Sequence, residues 1–345
     1  MNAKSTIMNK VNIRNSNVEL LRIIAMLFII MHHFLTHGMH ILQNNSWENF
    51  LFVSLNSLCY IGCVVFVLIS GYYGIKFDWI KLLRLYILTA SIGGICYIAH
   101  LLIDDASFGK SVIYNTFFSI SHTKNWFLKI YFYLFLFSPI LNIALNACNK
   151  NKSLFILFVL TFICVYFGWF WQDELYSDGC NLVNFIWIYC IGDYLKRYYN
   201  KSTLSPIVYL LIWIVCSIYN SVMSIMFNTY HAFTYNNPLV IAAAISFFLF
   251  FISYDFVSKL INSIAMCTLG VYLIHENAFI SPIIYGQEIS SIYSTNIFYF
   301  LLSVVICFSA CSLIDMALRK IVVSPIMKCF SRVYLVLRKR LKRQL

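Results

Sequence analysis

An all-α, polytopic integral membrane protein of about ten transmembrane helices, with both termini cytoplasmic, is the fold this sequence predicts. Three observations predict it. Of 345 residues, 61% are hydrophobic and only 11% are charged, against about 25% charged in ordinary soluble domains. Apolar stretches close to twenty residues long, the length that crosses a bilayer, follow one another almost end to end. The cations between them are asymmetric. In a ten-span arrangement all of the 25 Lys and Arg except Lys110, Lys124 and Lys129 fall on one side. Cytoplasmic loops retain positive charge, so that side is the inner one, and an even number of spans leaves both ends there.

The spans are expected over 19–38, 50–73, 80–103, 126–147, 153–171, 181–199, 204–228, 235–254, 258–279 and 294–318. The fourth is interrupted by Lys129, Ser138 and Pro139, a kink position, and the ninth by Asn262, Ser263, His275 and Glu276. Residues 1–18 form a cytoplasmic N-terminal segment, 19–320 the membrane domain, and 321–345 a basic amphipathic tail suited to an anionic inner leaflet. The first span lacks a small-residue cleavage site, so a retained helix is expected rather than a signal peptide. The polar stretch 104–125 reads as an outer loop with room for a short interfacial helix. Asp173, Glu174 and Asp178 read as a solvated outer loop.

The formal charge of +12 follows topology rather than forming a binding face, which argues against a nucleic-acid partner. The 12 cysteines contain no CxxC pair and no metal-like spacing, and no metal is expected. Most lie in apolar spans as small hydrophobes. Cys59/Cys63 and Cys307/Cys311 are one helical turn apart, which suits packing.

The chemistry concentrates in the first span. Glu19, Arg22 and several histidines stand in RNSNVELLRIIAMLFIIMHHFLTHGMH, 14–40, where ionisable groups are expensive and point to function. Arg22 and His33 lie about 20° apart around the helix and about 16 Å apart along it. His37 and His40 continue that face, Glu19 starts it, and His32 points elsewhere. A charged entry at one surface and an imidazole deep inside describe a path for a polar ligand.

Other candidates follow along the chain. Ser70-Gly71-Tyr72 closes the second span with a small-residue break that admits a helix or a ligand at close range. Lys81 and Arg84, one turn apart, are either topogenic charge or a two-cation clamp for the phosphates of a cytosolic nucleotide-like cofactor. Trp126 opens the fourth span at the outer side, and Lys129 snorkels outward or pairs with a buried acid. His275 and Glu276 near the outer end of the ninth span are either a substrate contact or a structural interfacial pair.

Together these stretches resemble membrane acyltransferase family 3, the O-acyltransferases that decorate bacterial surface polysaccharides. The resemblance rests on ELLRIIAMLFIIMHH with the Arg-x10-His spacing of Arg22 and His33, on FVLISGYY, on the basic pair of the third span, on NWFLKIYFYLFLFSP and on LGVYLIHEN. It covers 19 to about 320. It implies a ten-helix core in a bacterial cell membrane that takes an acyl group, usually acetyl from acetyl-CoA, to a sugar hydroxyl, often across the membrane. Carried onto this chain, His33 is the catalytic histidine and Arg22 its motif partner, with Glu19 orienting Arg22. Lys81 and Arg84 match a family Arg-x-x-Arg motif. Lys81 keeps the point charge there but gives up bidentate phosphate recognition, and the proline that often follows the motif is missing.

Read together, acyl-CoA is expected at Arg22, Lys81, Arg84 and the Ser70-Gly71-Tyr72 break, and a glycan acceptor at His37, Trp126, His275 and Glu276. A stand-alone transferase without an appended catalytic domain is expected. The main alternative is a transporter or flippase for a polysaccharide precursor, in which buried Arg and His would line the pathway. No inverted repeat or pair of broken helices supports it.

Overall fold

The computed structural model describes residues 15–103, 116, 125–175, 178–200, 203–227, 230–330 and 332. Every regular element among the described residues is helical. Helix α1, Ser16–His33, begins after an extended Asn15 and carries Glu19 in its first turn, where a carboxylate complements the exposed N–H groups. The Ser16 hydroxyl accepts the Ser258 N–H at 2.7 Å and donates to Asn262 Oδ1 at 2.8 Å. Asn17 Nδ2 donates to the Phe251 carbonyl at 3.0 Å. These bonds tie the start of α1 to the end of the eighth expected span and the start of the ninth. Past His33 the helix widens into a π-helical turn, Phe34–Gly38, a distortion common at functional sites.

Helices α2, Phe50–Cys59, and α3, Gly62–Tyr73, form one nearly continuous span. Helix α4, Trp79–Ile103, follows, then α5, Trp126–Asn146, which runs through Pro139. Asn149 caps α6, Lys150–Thr161, which also widens at its far end over Phe162–Phe170. Asn181 caps α7, Leu182–Tyr198. After α8, Pro206–Phe227, Asn237 caps α9, Pro238–Ile252, and Pro238 occupies the first turn, where its missing N–H costs nothing. The ninth expected span is split at Met266 and Cys267 into α10, Lys259–Ala265, and α11, Thr268–His275. Two short helices, α12, Ser281–Tyr285, and α13, Gln287–Tyr293, lead to α14, Ile297–Leu318.

Seven helical stretches are long and apolar enough to cross a membrane: Ser16–Gly38, Trp47–Tyr73, Trp79–Leu102, Trp126–Asn146, Lys150–Phe170, Pro206–Phe227 and Ile297–Phe330. They coincide with seven of the ten expected spans. The other three are helical where expected but shorter, as α7, α9 and the α10–α11 pair. These carry many buried side chains, among them Phe185, Tyr189, Val240, Phe248, Val271 and Ile274. The last helix passes the expected boundary at 320 without a break and continues to Phe330. Of the N-terminal segment only 15–18, of the 104–125 loop only 116 and 125, and of the basic tail only 321–330 and 332 are described. The interfacial helix expected in that loop, with Lys110 and Lys124, therefore lies outside the described residues.

The α3–α7 crossing explains one glycine of the Ser70-Gly71-Tyr72 break. A Cβ on Gly71 would stand 2.1 Å from the Tyr189 carbonyl oxygen, and one on Gly192 would stand 2.5 Å from that of Leu68. Hydrogen at both positions lets the two backbones meet. Gly71 therefore serves helix packing.

Candidate active site

Helix α1 lines two cavities, one toward each end. Toward its start, Arg22, Met26 and Ile29 share one face and border a cavity of about 190 Å³. Phe66 and Ser70 of α3, Phe127, Leu128 and Tyr131 of α5, and Thr268, Leu269 and Tyr272 of α11 close it. The lining is mostly apolar, with Arg22 as its charged residue. Glu19 is buried and holds Arg22 at 3.6 Å, one turn back on the same helix. The Ser70 hydroxyl donates to the Phe66 carbonyl and bonds the Tyr131 hydroxyl, both at 2.8 Å.

Toward the other end of α1 lies a cavity of about 710 Å³. His32, His33, His37 and His40 line it together with Tyr60, Trp126, Tyr235, Glu276 and Tyr285. Tyr272 borders both cavities. Its ring lies 5.7 Å from Phe127 on one side and 5.9 Å from His275 on the other, so it forms the partition between them.

His33 sits at the last regular turn of α1, where the helix widens. Its Nδ1 lies 3.0 Å from Glu276 Oε1 and 3.2 Å from His275 Nε2. His275 is fully buried, and its Nδ1 lies 2.6 Å from the Val271 carbonyl. A carbonyl only accepts, so His275 carries its proton on Nδ1 and offers a lone pair from Nε2. Both neighbours of His33 Nδ1 are therefore acceptors. That fixes the His33 tautomer: the proton resides on Nδ1, and Nε2 is left with its lone pair. Tyr285 donates to Glu276 Oε1 at 3.1 Å and stacks edge-on to His33 at 6.4 Å. His37 lies 5.2 Å from the His33 ring, centroid to centroid. One ligand atom from each of His33, His275 and Glu276 also lies within 4.8 Å of the other two, close enough to offer one cation three ligands. The same short distances are those of hydrogen bonds, and a single proton on His33 satisfies them.

The sequence-derived candidates sort as follows. His33, His37, Trp126 and Glu276 converge on the larger cavity. His275 does not line it; it is fully buried, with its Nε2 3.2 Å from His33 Nδ1. Glu276 is the carboxylate that touches His33, whereas Glu19 touches Arg22 at the other end of the helix. Of Ser70, Gly71 and Tyr72, only Ser70 borders the Arg22 cavity. Tyr72 instead packs on Phe248 at 5.2 Å and lies under Lys196 at 4.7 Å.

Lys81 and Arg84 do not join Arg22. Lys81 is exposed and donates to the Lys76 carbonyl at 3.3 Å, while Arg84 lines a separate cavity beside the last helix. His32 does not point elsewhere: it lines the larger cavity, with its Nδ1 2.7 Å from Asn56 Oδ1. Lys129 is exposed, and Asp173 and Glu174 are exposed in their loop. Sequence reasoning missed Tyr272 and Tyr285. The LGVYLIHEN stretch that contains Tyr272 was the one available signal.

His33, with its tautomer fixed and a carboxylate beside it, lines the larger cavity, and Arg22 lines the smaller one on the other side of Tyr272. A family model described as an acyltransferase domain matches residues 15–316. No curated protein and no solved structure matches the chain. The matched region contains both cavities and nearly every described helix, and the chain belongs to membrane acyltransferase family 3.

Proposed function

We propose that this protein is an O-acyltransferase that moves an acetyl group from cytosolic acyl-CoA to a hydroxyl of a cell-surface or exopolysaccharide sugar. In this reading ten helices span a bacterial plasma membrane, with both termini cytoplasmic. The supporting observation is the pairing of His33 Nδ1 with Glu276 and His275, at 3.0 and 3.2 Å, on the wall of a roomy cavity. Trp126, Tyr60, Tyr235 and Tyr285 give that cavity aromatic faces, and histidines give it polar edges. Sugar rings, apolar on one face and hydroxylated at the rim, suit such a lining.

The donor enters from the side of Arg22. A guanidinium held by Glu19 offers its remaining N–H groups to phosphate. The narrow apolar cavity beyond it suits an extended thioester arm, which passes Tyr272 to reach His33. His33 Nε2 takes the proton of the acceptor hydroxyl as that oxygen attacks the thioester carbonyl. The C–S bond then breaks, and the leaving thiolate receives the proton from Nε2. The Glu276 carboxylate stabilises the imidazolium between these events, as a paired carboxylate does for other catalytic histidines. General base catalysis of this kind contributes about 10²- to 10⁴-fold. In a stepwise variant Nε2 attacks the thioester carbonyl and the thiolate leaves; the acceptor oxygen then attacks the acyl group, the C–Nε2 bond breaks, and the hydroxyl proton passes to the thiolate.

The test is transfer of radiolabelled acetyl from acetyl-CoA in membrane vesicles of known orientation, wild type beside His33→Ala at equal insertion. The proposal expects label on glycan when donor is supplied to the cytosolic face, and none in the variant. Equal labelling by His33→Ala would refute it.

A further inference from the structure

We infer that the cavity between the start of α4 and the end of the last helix binds the headgroup of an anionic phospholipid. The cavity measures about 610 Å³ and is lined by Arg84, Arg319, Ser324, Lys328 and Arg332 with two apolar residues. Its four cations come from two ends of the chain. Arg84 lies one turn and a half into α4, and the others lie at the end of the last span and just beyond it. Both sets occupy the same end of the bundle, because they border one cavity.

The charges are not spent within the protein. Arg319 Nε donates to Asp315 Oδ2 at 2.5 Å, and Asp315 is fully buried. That bond orients Arg319 and leaves its terminal nitrogens to the cavity. Among the described residues, no carboxylate pairs with Arg84, Lys328 or Arg332. Three uncompensated cations and a held guanidinium facing one space repel one another unless an anion fills it.

The neighbours say which anion. Ile80, one turn before Arg84, is 47% exposed, Ile321, two turns before Lys328, is 70% exposed and Phe330, at the end of the last span, is 51% exposed. Large apolar side chains bare to the surroundings on the same helices place this rim against lipid tails rather than water. A ligand that fits must carry phosphate for the cations and hydrocarbon for the rim, which describes an anionic phospholipid. Basic pockets between transmembrane helices on the cytoplasmic side recognise such headgroups. The Arg22 cavity, by contrast, borders none of these residues. The inference therefore stands apart from the acyl-transfer reading and does not depend on it.

Full-length protein purified in detergent, titrated with phosphatidylglycerol or phosphatidylcholine and read by native mass spectrometry, tests the site. Wild type is compared with Lys328→Gln/Arg332→Gln and with the charge-keeping Lys328→Arg/Arg332→Lys. At about fivefold per surface cation, the neutralised variant is expected to bind phosphatidylglycerol about 25-fold more weakly. The charge-keeping variant should stay near wild type, phosphatidylcholine should bind weakly throughout, and 3′,5′-ADP should leave the lipid in place. Equal affinity for both lipids, or an unchanged neutralised variant, would overturn the inference. Displacement of the lipid by 3′,5′-ADP would overturn it too, by assigning the cavity to the donor nucleotide.

Discussion

The two ends of α1 are built alike and border different cavities. Each carries a cationic or basic side chain against a carboxylate: Arg22 with Glu19 at 3.6 Å, His33 with Glu276 at 3.0 Å. At the Arg22 end the partner is one turn away on the same helix, and the pair borders a narrow apolar cavity. At the His33 end the partners, His275 and Glu276, come from α11 and its edge, and the cavity is larger and rich in aromatic and imidazole groups. A local pair can hold a charge in place for a ligand to find. Setting which nitrogen of an imidazole carries the proton takes acceptors from a second element, arriving from another direction. Under the proposed function, the difference places donor capture at one end and proton transfer at the other.

That division can be broken by substitution. His33→Ala should show the largest effect, a fall in acetyl transfer of about 10³-fold or more with donor affinity retained, read by steady-state kinetics and direct acyl-CoA binding. Glu276→Gln keeps an acceptor oxygen but removes the charge that stabilises the imidazolium. Its kcat should fall about 100-fold with little change in the donor KM. Arg22→Ala should invert the pattern. Losing a charged hydrogen bond worth about 1.5–3 kcal/mol raises the acyl-CoA KM roughly 10- to 100-fold while kcat changes little. Gly71→Ala should act through folding alone, lowering stability in detergent by about 3 kcal/mol, because its Cβ meets the Tyr189 carbonyl. The smallest effect should come from chelation. If a proton rather than an ion joins His33, His275 and Glu276, EDTA leaves transfer unchanged, and metal analysis of the purified protein finds no stoichiometric ion.

The same contrast explains what the sequence made legible. Glu19 and Arg22 are three residues apart, so helical periodicity alone joined them, and the shared face of Arg22 and His33 followed from the same geometry. The seven long spans were legible because each is long and apolar enough to cross a bilayer. Helices α7 and α9 were located too, as Leu182–Tyr198 within 181–199 and Pro238–Ile252 within 235–254. His275 lies 242 residues beyond His33, and no local pattern could reveal that it stands behind His33 while Glu276 touches the ring. The separation of Arg84 from Arg22 was hidden for the same reason. Both face the same side of the membrane in the sequence pattern, and only packing shows that they border different cavities.

The most direct test of the division is equilibrium binding of radiolabelled acetyl-CoA to purified Arg22→Ala and His33→Ala proteins, with transfer measured on the same samples. The account predicts that His33→Ala binds donor like wild type and transfers nothing, while Arg22→Ala binds weakly and transfers at saturating donor. Loss of donor binding in His33→Ala with normal binding in Arg22→Ala would contradict it.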